Sequence, residues 1–204
     1  MKNWKPFEII WIATFVIIGI VITLLSKDSF FNFFVLLTGI LCVIFAAKGN
    51  ILTYLFGIVN SLGYAYTAYR NGLFGEVGLN IRVYLPMNII GFFMWRRFMD
   101  ENVVIMKGLN KIKSLFVYSG CFLSIILLGF LLSLIKGQNT PYIDASTNMI
   151  GITATFLMVW RYKEQWIIYI VLNMLTIIMW FIRLLNGSSD GSIMVVMWFA
   201  FLIN

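Results

Sequence analysis

Trp166-Ile-Ile-Tyr-Ile-Val-Leu-Asn-Met-Leu-Thr-Ile-Ile-Met-Trp-Phe-Ile-Arg-Leu-Leu185 decides the fold. Uninterrupted apolar sequence of roughly 20 residues is what an α-helix needs to cross the hydrocarbon of a bilayer. Within the run Trp166, Tyr169, Asn173, Ile177 and Trp180 recur at steps of three and four, so they share one helical face. A polar side chain in hydrocarbon is costly unless it meets a partner or water, so this face turns toward other helices or a cavity. The stretch is one membrane helix of a bundle.

Outward from it, seven more apolar segments are bounded by charges, Gly, Asn or Pro: Phe7–Leu25, Phe30–Ala47, Ile51–Ala68, Leu79–Trp95, Leu115–Ile135, Asp144–Trp160 and Ile193 to the end. The quoted run, Trp166–Leu185, is therefore the seventh of eight. The last stops at Asn204 short of the roughly 20 residues a crossing needs, which leaves a distorted helix or a chain that continues further. Most connections are short, so successive helices should be neighbours; Arg96–Ser114 is the exception.

The composition agrees, since 61% of the 204 residues are hydrophobic and 11% charged, where a soluble domain carries about a quarter charged. There is no His, and the two cysteines, Cys42 and Cys121, each sit inside an apolar run. A disulfide scaffold and histidine-based metal or acid–base chemistry are excluded, and no cofactor or metal is expected. The net charge of +7 does not indicate nucleic acid, because the basic residues stand singly between apolar runs. They report topology instead. The side of the N-terminus holds Lys2, Lys5, Lys48, Arg96, Arg97, Lys107, Lys111, Lys113, Arg161 and Lys163; the other holds Lys27, Arg70, Lys136 and Arg183. Cytoplasmic loops carry the excess, so the N-terminus is expected in the cytoplasm. Phe7–Leu25 follows Lys2 and Lys5 without an A-x-A-like site and reads as a retained helix rather than a cleaved signal peptide.

The chain also repeats itself. Placing Gly39-Ile40 over Gly151-Ile152 brings Asn60 opposite Asn173, at spacings of 21 and 22 residues, and Asn71-Gly72 near Asn186-Gly187. Segments two to four thus match six to eight, with the fifth between them. Three helices alone would invert the second copy; the extra helix restores its direction, so the copies are expected to be parallel. Two further stripes line up with the quoted one: Thr53, Phe56, Asn60, Tyr64 and Thr67, and Asn80, Tyr84, Asn88, Gly91 and Trp95, the latter interrupted by Pro86, where a kink is expected. A single membrane Asn serves helix packing as readily as a ligand. Convergence of repeat-related Asn residues and aromatic rings on one interior favours a shared cavity. Trp4, Trp11, Trp95 and Trp160 near helix ends read as interfacial, whereas Trp180 lies deep and in phase with Asn173.

Every carboxylate (Glu8, Asp28, Glu76, Asp100, Glu101, Asp144, Glu164, Asp190) lies at a helix end or in a loop, which disfavours a proton-driven pump. Asp144, after Pro141, is expected to cap the sixth helix. No G-x-x-x-x-G-K-[ST] occurs, so nucleotide hydrolysis is not indicated. An uncharged lining of amides and rings suits a flat ring with hydroxyls, and a cationic ring would add cation–π attraction.

The stretch from Gly39-Ile-Leu-Cys-Val to Lys48, then Asn60, Tyr64, Tyr66, Gly72-Leu-Phe-Gly-Glu76, Leu79-Asn80 and Gly91 to Trp95, resembles the first half of the PnuC family of bacterial vitamin transporters. Asp144-Ala145, Glu164 and Trp166-Ile-Ile-Tyr169-Ile-Val-Leu-Asn173 extend the resemblance, the last being similar to the family's W-x-x-W-x-x-x-N signature with Tyr169 at its second aromatic. The likeness covers about residues 30–204 and leaves the first helix outside. It implies an all-α membrane protein with two parallel three-helix bundles joined by a linker helix, a 3+1+3 plan resembling SWEET transporters. Residues 1–27 would form an extra helix, 28–98 the first bundle, 99–136 a cytoplasmic loop and linker helix, and 137–204 the second bundle. It further implies a homotrimer in the bacterial inner membrane and facilitated diffusion of nicotinamide riboside, trapped inside by a riboside kinase. Trp166, Tyr169 and Asn173 would contact substrate, with Asn60 as the repeat mate; Tyr84, Asn88 and Trp180 join them from the stripes. Thiamine and riboflavin are the alternative cargoes. A non-transporting scaffold, with stripes that only join helices, is the competing reading from another class, and a catalytic role is not expected.

Overall fold

A computed structural model of the chain describes residues 4–25, 29–71, 74–100, 103–134, 141–187 and 190–204. Lys2, Lys27, Asp28, Glu101, Lys136 and the Gly72-Leu73 pair, used above, lie outside them. Nearly everything described is helical: α1 (Pro6–Leu25), α2 (Phe30–Ala47), α3 (Leu52–Arg70), α4 (Phe74–Leu79), a π-helical turn (Asn80–Tyr84), α5 (Leu85–Arg96), α6 (Lys111–Ser133), α7 (Pro141–Val159), α8 (Gln165–Leu185) and α9 (Gly191–Ile203). Each apolar segment has its helix. Among the described residues, five spans are long and apolar enough to cross a bilayer: α1, α2, Gly75–Arg96, α6 and α8. The protein is a multi-pass membrane protein. Helices α3 and α7 are less apolar because they carry polar residues such as Asn60, Ser61, Asn148 and Thr155.

Local chemistry sets several boundaries. The Ser29 hydroxyl accepts from Phe31 N at the start of α2, and the Asn110 side chain accepts from Lys113 N at the start of α6. Helix α7 begins at Pro141, and Asp144 falls in its first turn. Its backbone carbonyl accepts from Thr147 Oγ1 and Asn148 Nδ2. The fourth segment starts at Phe74 rather than Leu79 and is continuous through the π turn, where Leu85 N donates to Asn80 O. One extra residue per turn there lets Pro86, which has no N–H to give, follow without breaking the segment.

Six helices close a ring: α2 packs on α3, α3 on α5, α5 on α7, α7 on α8, α8 on α9 and α9 back on α2. Helix α1 lies outside against α2 and α9, and α6 lies outside against α7. Two glycines permit close approach within the ring, Gly91 of α5 taking the ring of Tyr54 and Gly151 of α7 taking the hydroxyl of Tyr84.

The connection after α5 departs from an all-helical reading. It forms a small antiparallel hairpin, β1 (Met99–Asp100) with β2 (Val103–Val104). Val104 N donates to Gly49 O (2.9 Å) in the α2–α3 turn, while Lys107 N donates to Arg161 O (2.8 Å) and receives Lys163 N at its carbonyl (3.0 Å) in the α7–α8 turn. One strap thus ties both turns together at the end of the ring that carries Lys48 and Arg161. The Lys48 ammonium also pairs with Glu8 at 2.6 Å and lies over the Trp4 ring, fixing the start of α1 there.

The opposite end is closed by a buried polar chain. Thr67 Oγ1 donates to Asn32 Oδ1 (2.7 Å), Asn32 Nδ2 to Asp190 Oδ1 (2.8 Å) and Asn71 Nδ2 to Asp190 Oδ2 (2.6 Å). The interfacial reading of the tryptophans fails for two of them. Trp95 is 0% exposed and donates its indole N–H to Met158 O, and Trp11 is 4% exposed. Their rings fill the interior between helices, which outweighs the preference of an indole for the headgroup region.

Candidate functional site

Inside the ring lies a cavity of about 370 Å³, within the roughly 300–1,000 Å³ usual for small-molecule sites. It occupies the half nearer the strapped turns, since its walls come from the end of α2 (Cys42, Ala46), the start of α3 (Thr53, Tyr54) and the start of α8 (Gln165, Trp166). Its deeper wall carries Asn60, Tyr64, Asn80, Tyr84, Asn88 and Asn173. Among the described residues no charged side chain lines it.

The structure brings together Asn60, Tyr84, Asn88, Trp166, Tyr169 and Asn173 on this one surface. Their surroundings differ. Asn60 Nδ2 donates to Val35 O (2.8 Å) and reaches Thr38 Oγ1 (3.4 Å), so the residue joins α3 to α2 while facing the cavity. Its repeat mate Asn173 is 5% exposed, and its side chain makes no hydrogen bond among the described residues. Asn88 Nδ2 donates to Ser61 Oγ (3.3 Å), and its carboxamide lies against Gly57. The Tyr169 hydroxyl sits 3.3 Å from Thr155 Oγ1 and 3.6 Å from Met158 Sδ, which fixes the ring in the wall. Trp166 is 38% exposed and forms the rim.

Trp180 is placed differently. It is wholly buried and is not part of the cavity wall. Its indole N–H donates to the Tyr64 hydroxyl at 2.7 Å, and the two rings meet edge to face. It acts on the cavity through Tyr64.

Wall residues beyond the six predicted contacts include Tyr54, Asn80, Gln165 and Trp198. Gln165 stands one turn before Tyr169 and two before Asn173, so extending the α8 stripe backward reaches it; its place at the loop boundary hid it. Tyr54, Gly57, Ser61 and Tyr64 form a second stripe on α3, adjacent to the chosen one. The π turn brings Asn80, Tyr84 and Asn88 to the same wall, and Asn80 Nδ2 donates to Glu76 O (2.8 Å). Trp198 comes from α9, whose apolar sequence gives no stripe.

What such a surface resembles is answered by comparison with known proteins. Residues 29–204 match the family model described as Nicotinamide mononucleotide transporter. A Neisseria mucosa protein named nicotinamide riboside transporter PnuC is 34% identical over 209 residues, covering 99% of this chain and 79% of that one. The chain belongs to the PnuC family. A Haemophilus influenzae PnuC of the same name is 34% identical over 88% of this chain and 81% of its own. A solved structure described as the crystal structure of the vitamin B3 transporter PnuC has a TM-score of 0.87 at 32% identity, covering 100% of this chain and 88% of that one. The family model begins just before α2, but the Neisseria PnuC match takes in nearly the whole chain, so α1 also has a counterpart among PnuC relatives.

Proposed function

We propose that this PnuC-family chain carries nicotinamide riboside across the bacterial inner membrane by facilitated diffusion. The carrying observation is the cavity, whose wall sets aromatic rings and amides among apolar and hydroxyl side chains and carries no charged side chain among the described residues. Such a wall suits a pyridinium stacked on an aromatic ring with ribose hydroxyls paired to amides. A mononucleotide would bring a phosphate with no Lys or Arg to meet it. Asn60, Tyr84, Asn88, Trp166, Tyr169 and Asn173 are the proposed substrate contacts, and Trp180 is a positioning residue behind Tyr64. Names of the relatives support the cargo, and the 34% identity to two of them supports a shared site.

Uniport is the proposed mode. Moving one positive charge inward across 100 mV is favourable by about 2.3 kcal/mol, so a coupling ion is unnecessary, and phosphorylation by a cytoplasmic riboside kinase would trap the product. The two-bundle 3+1+3 plan, with units at 28–98 and 137–204 and the 99–136 connection between them, is part of the same reading. In its favour, the ring maps onto itself when α2, α3 and α5 are exchanged for α7, α8 and α9. A homotrimer and a cytoplasmic N-terminus complete it, the latter supported by Lys48, Arg97, Lys107, Arg161 and Lys163 at the strapped end.

The test is uptake of labelled nicotinamide riboside into vesicles containing the protein and an enclosed riboside kinase. Uptake above protein-free vesicles is expected, unaffected by thiamine in similar amount. No uptake overturns the reading, and inhibition by thiamine reassigns the cargo.

A further inference from the structure

At the far end of the ring, opposite the strap, Asp190 is paired and Glu76 is not. Asn32 and Asn71 donate to the two oxygens of Asp190, whereas the carboxylate of Glu76, a residue 7% exposed, accepts no hydrogen bond among the described residues. The internal match shows where the difference arises. With Gly39 set over Gly151, Asn32 falls over Asp144, each seven residues earlier, and Glu76 and Asp190 each stand a few residues past the matched Asn-Gly pairs. Helix α2 packs on α9 and α7 packs on α4, so the two contacts correspond. In the first an amide meets a carboxylate; in the second Asp144 and Glu76 bring two carboxylates together.

This second pair lies just beyond the deep wall of the cavity. A Cβ at Gly75 of α4 would meet Asn148 Nδ2 at 3.9 Å, and Asn148 stands one turn on from Asp144 along α7. Glu76 is within electrostatic reach of Asp144 and of Tyr64 and Tyr84, and both tyrosines line the cavity. Its backbone carbonyl holds Asn80, a third cavity residue. No Lys or Arg pairs with Glu76 among the described residues. The start of a helix favours a carboxylate, but that field offsets only part of the cost of burying one, and a second carboxylate beside it adds repulsion. An ionisable side chain kept inside a membrane bundle marks a route for an ion or substrate, and a carboxylate without a donor calls for a cation.

We propose that Glu76 and Asp144 form a charge-reading station on the route from the far end to the cavity, which receives the positive ring of the cargo when that end opens and so makes uptake selective for cations over uncharged molecules of the same shape. The station rests on the vitamin reading above and adds a second place of contact, outside the cavity wall. Within the cavity the cargo meets no charged side chain among the described residues, so the wall itself reads shape and hydroxyls rather than charge. Fixed negative charge along a route raises the local concentration of a cation and its rate of arrival more than its affinity for the place where it comes to rest. The pair therefore acts on the rate of entry from the far side.

The experiment measures initial uptake, well below saturation, by spheroplasts that lack a riboside carrier of their own and express the full-length protein, which fixes one orientation. The membrane potential is collapsed so that it favours neither probe. The probes are labelled nicotinamide riboside and its reduced form, dihydronicotinamide riboside, which has nearly the same shape and no charge. Wild type is expected to take up the cation at least about tenfold faster. Glu76→Gln should slow the cation about tenfold and leave the reduced form within about twofold, and Asp144→Asn should do the same to a smaller extent. Glu76→Asp, which keeps the charge, should keep most of the preference. Calorimetry on the purified variants should give an affinity for nicotinamide riboside within about threefold of wild type, because the cavity wall is intact. A Glu76→Gln protein that keeps the wild-type preference, or slows both compounds alike, overturns the station and leaves the vitamin reading standing. So does a wild type that takes up both at one rate, or an affinity that falls as far as the uptake rate, since the pair then belongs to the resting site. Uptake that needs sodium in the medium also overturns it, by assigning the pair to an inorganic cation. Wild type that takes up neither compound overturns the vitamin reading and the station with it.

Discussion

Asn60 and Asn173 are repeat mates in sequence, yet they do unequal work. Asn60 spends its N–H groups on the Val35 carbonyl and Thr38 hydroxyl, whereas Asn173 faces the cavity with its amide unengaged. Asn60→Leu should destabilise the protein by roughly 1–2 kcal/mol through the lost helix–helix hydrogen bond. Asn173→Leu should leave the ligand-free melting temperature unchanged and remove most of the stabilisation that nicotinamide riboside confers. Thermal unfolding with and without the riboside checks both. A scaffold with no ligand would show the reverse pattern at Asn173, a lower melting temperature and no ligand effect to lose. The helical period found these residues because polarity at steps of three and four stands out against an apolar background. It could not tell them apart, since the partner of Asn60 is a backbone carbonyl on another helix, and backbone carbonyls carry no sequence signature.

Helices α3 and α5 cross where Tyr54 lies over Gly91 and edge-on to Trp95. A side chain added at Gly91 would have to displace that ring. Gly91→Val is therefore expected to cost roughly 1–3 kcal/mol by overpacking, seen as a lower melting temperature, and to weaken riboside binding, because Tyr54 is also cavity wall. An unchanged melting temperature would show that the crossing is looser than the structure has it. The helices themselves were evident from apolar runs, with ends within a few residues, because the bilayer fixes their length. The π turn at Asn80–Tyr84 was not. Sequence announced a disturbance at Pro86, but the π turn that precedes the proline, with its extra residue, depends on what α3 and α7 offer as packing surfaces.

At the scale of the whole molecule, the cavity sits toward the strapped end, and the far end is shut by the chain from Thr67 through Asn32 to Asp190 and Asn71. Asp190 and Glu76 sit at helix ends, as expected of them, but at 4% and 7% exposure they are buried rather than solvated. A charged polar group inside a bundle is tolerable only where partners come from several elements, and Asp190 draws them from α2 and the turn after α3. The closed end makes an accessibility prediction. In a Cys42→Ser, Cys121→Ser background, Ser61→Cys should react with a membrane-impermeant maleimide from the side of the α2–α3 turn only, and nicotinamide riboside should protect it. Adding Asn32→Leu should admit the reagent from the opposite side. Equal labelling from both sides before that change would contradict the closed end.

Sequence alone determined that this is a bundle of membrane helices with an inward polar face, because the bilayer permits few alternatives and each leaves a mark of length and period. It also determined part of the cavity wall, Asn60, Tyr84, Asn88, Trp166, Tyr169 and Asn173, because polar and aromatic side chains in phase along a membrane helix must face inward. Tertiary structure alone decided that Trp180 stands behind Tyr64, that Trp95 is core and that a hairpin straps the two turns. Each of these depends on which element lies opposite, and pairing between segments distant in sequence is set by packing, which no local pattern encodes.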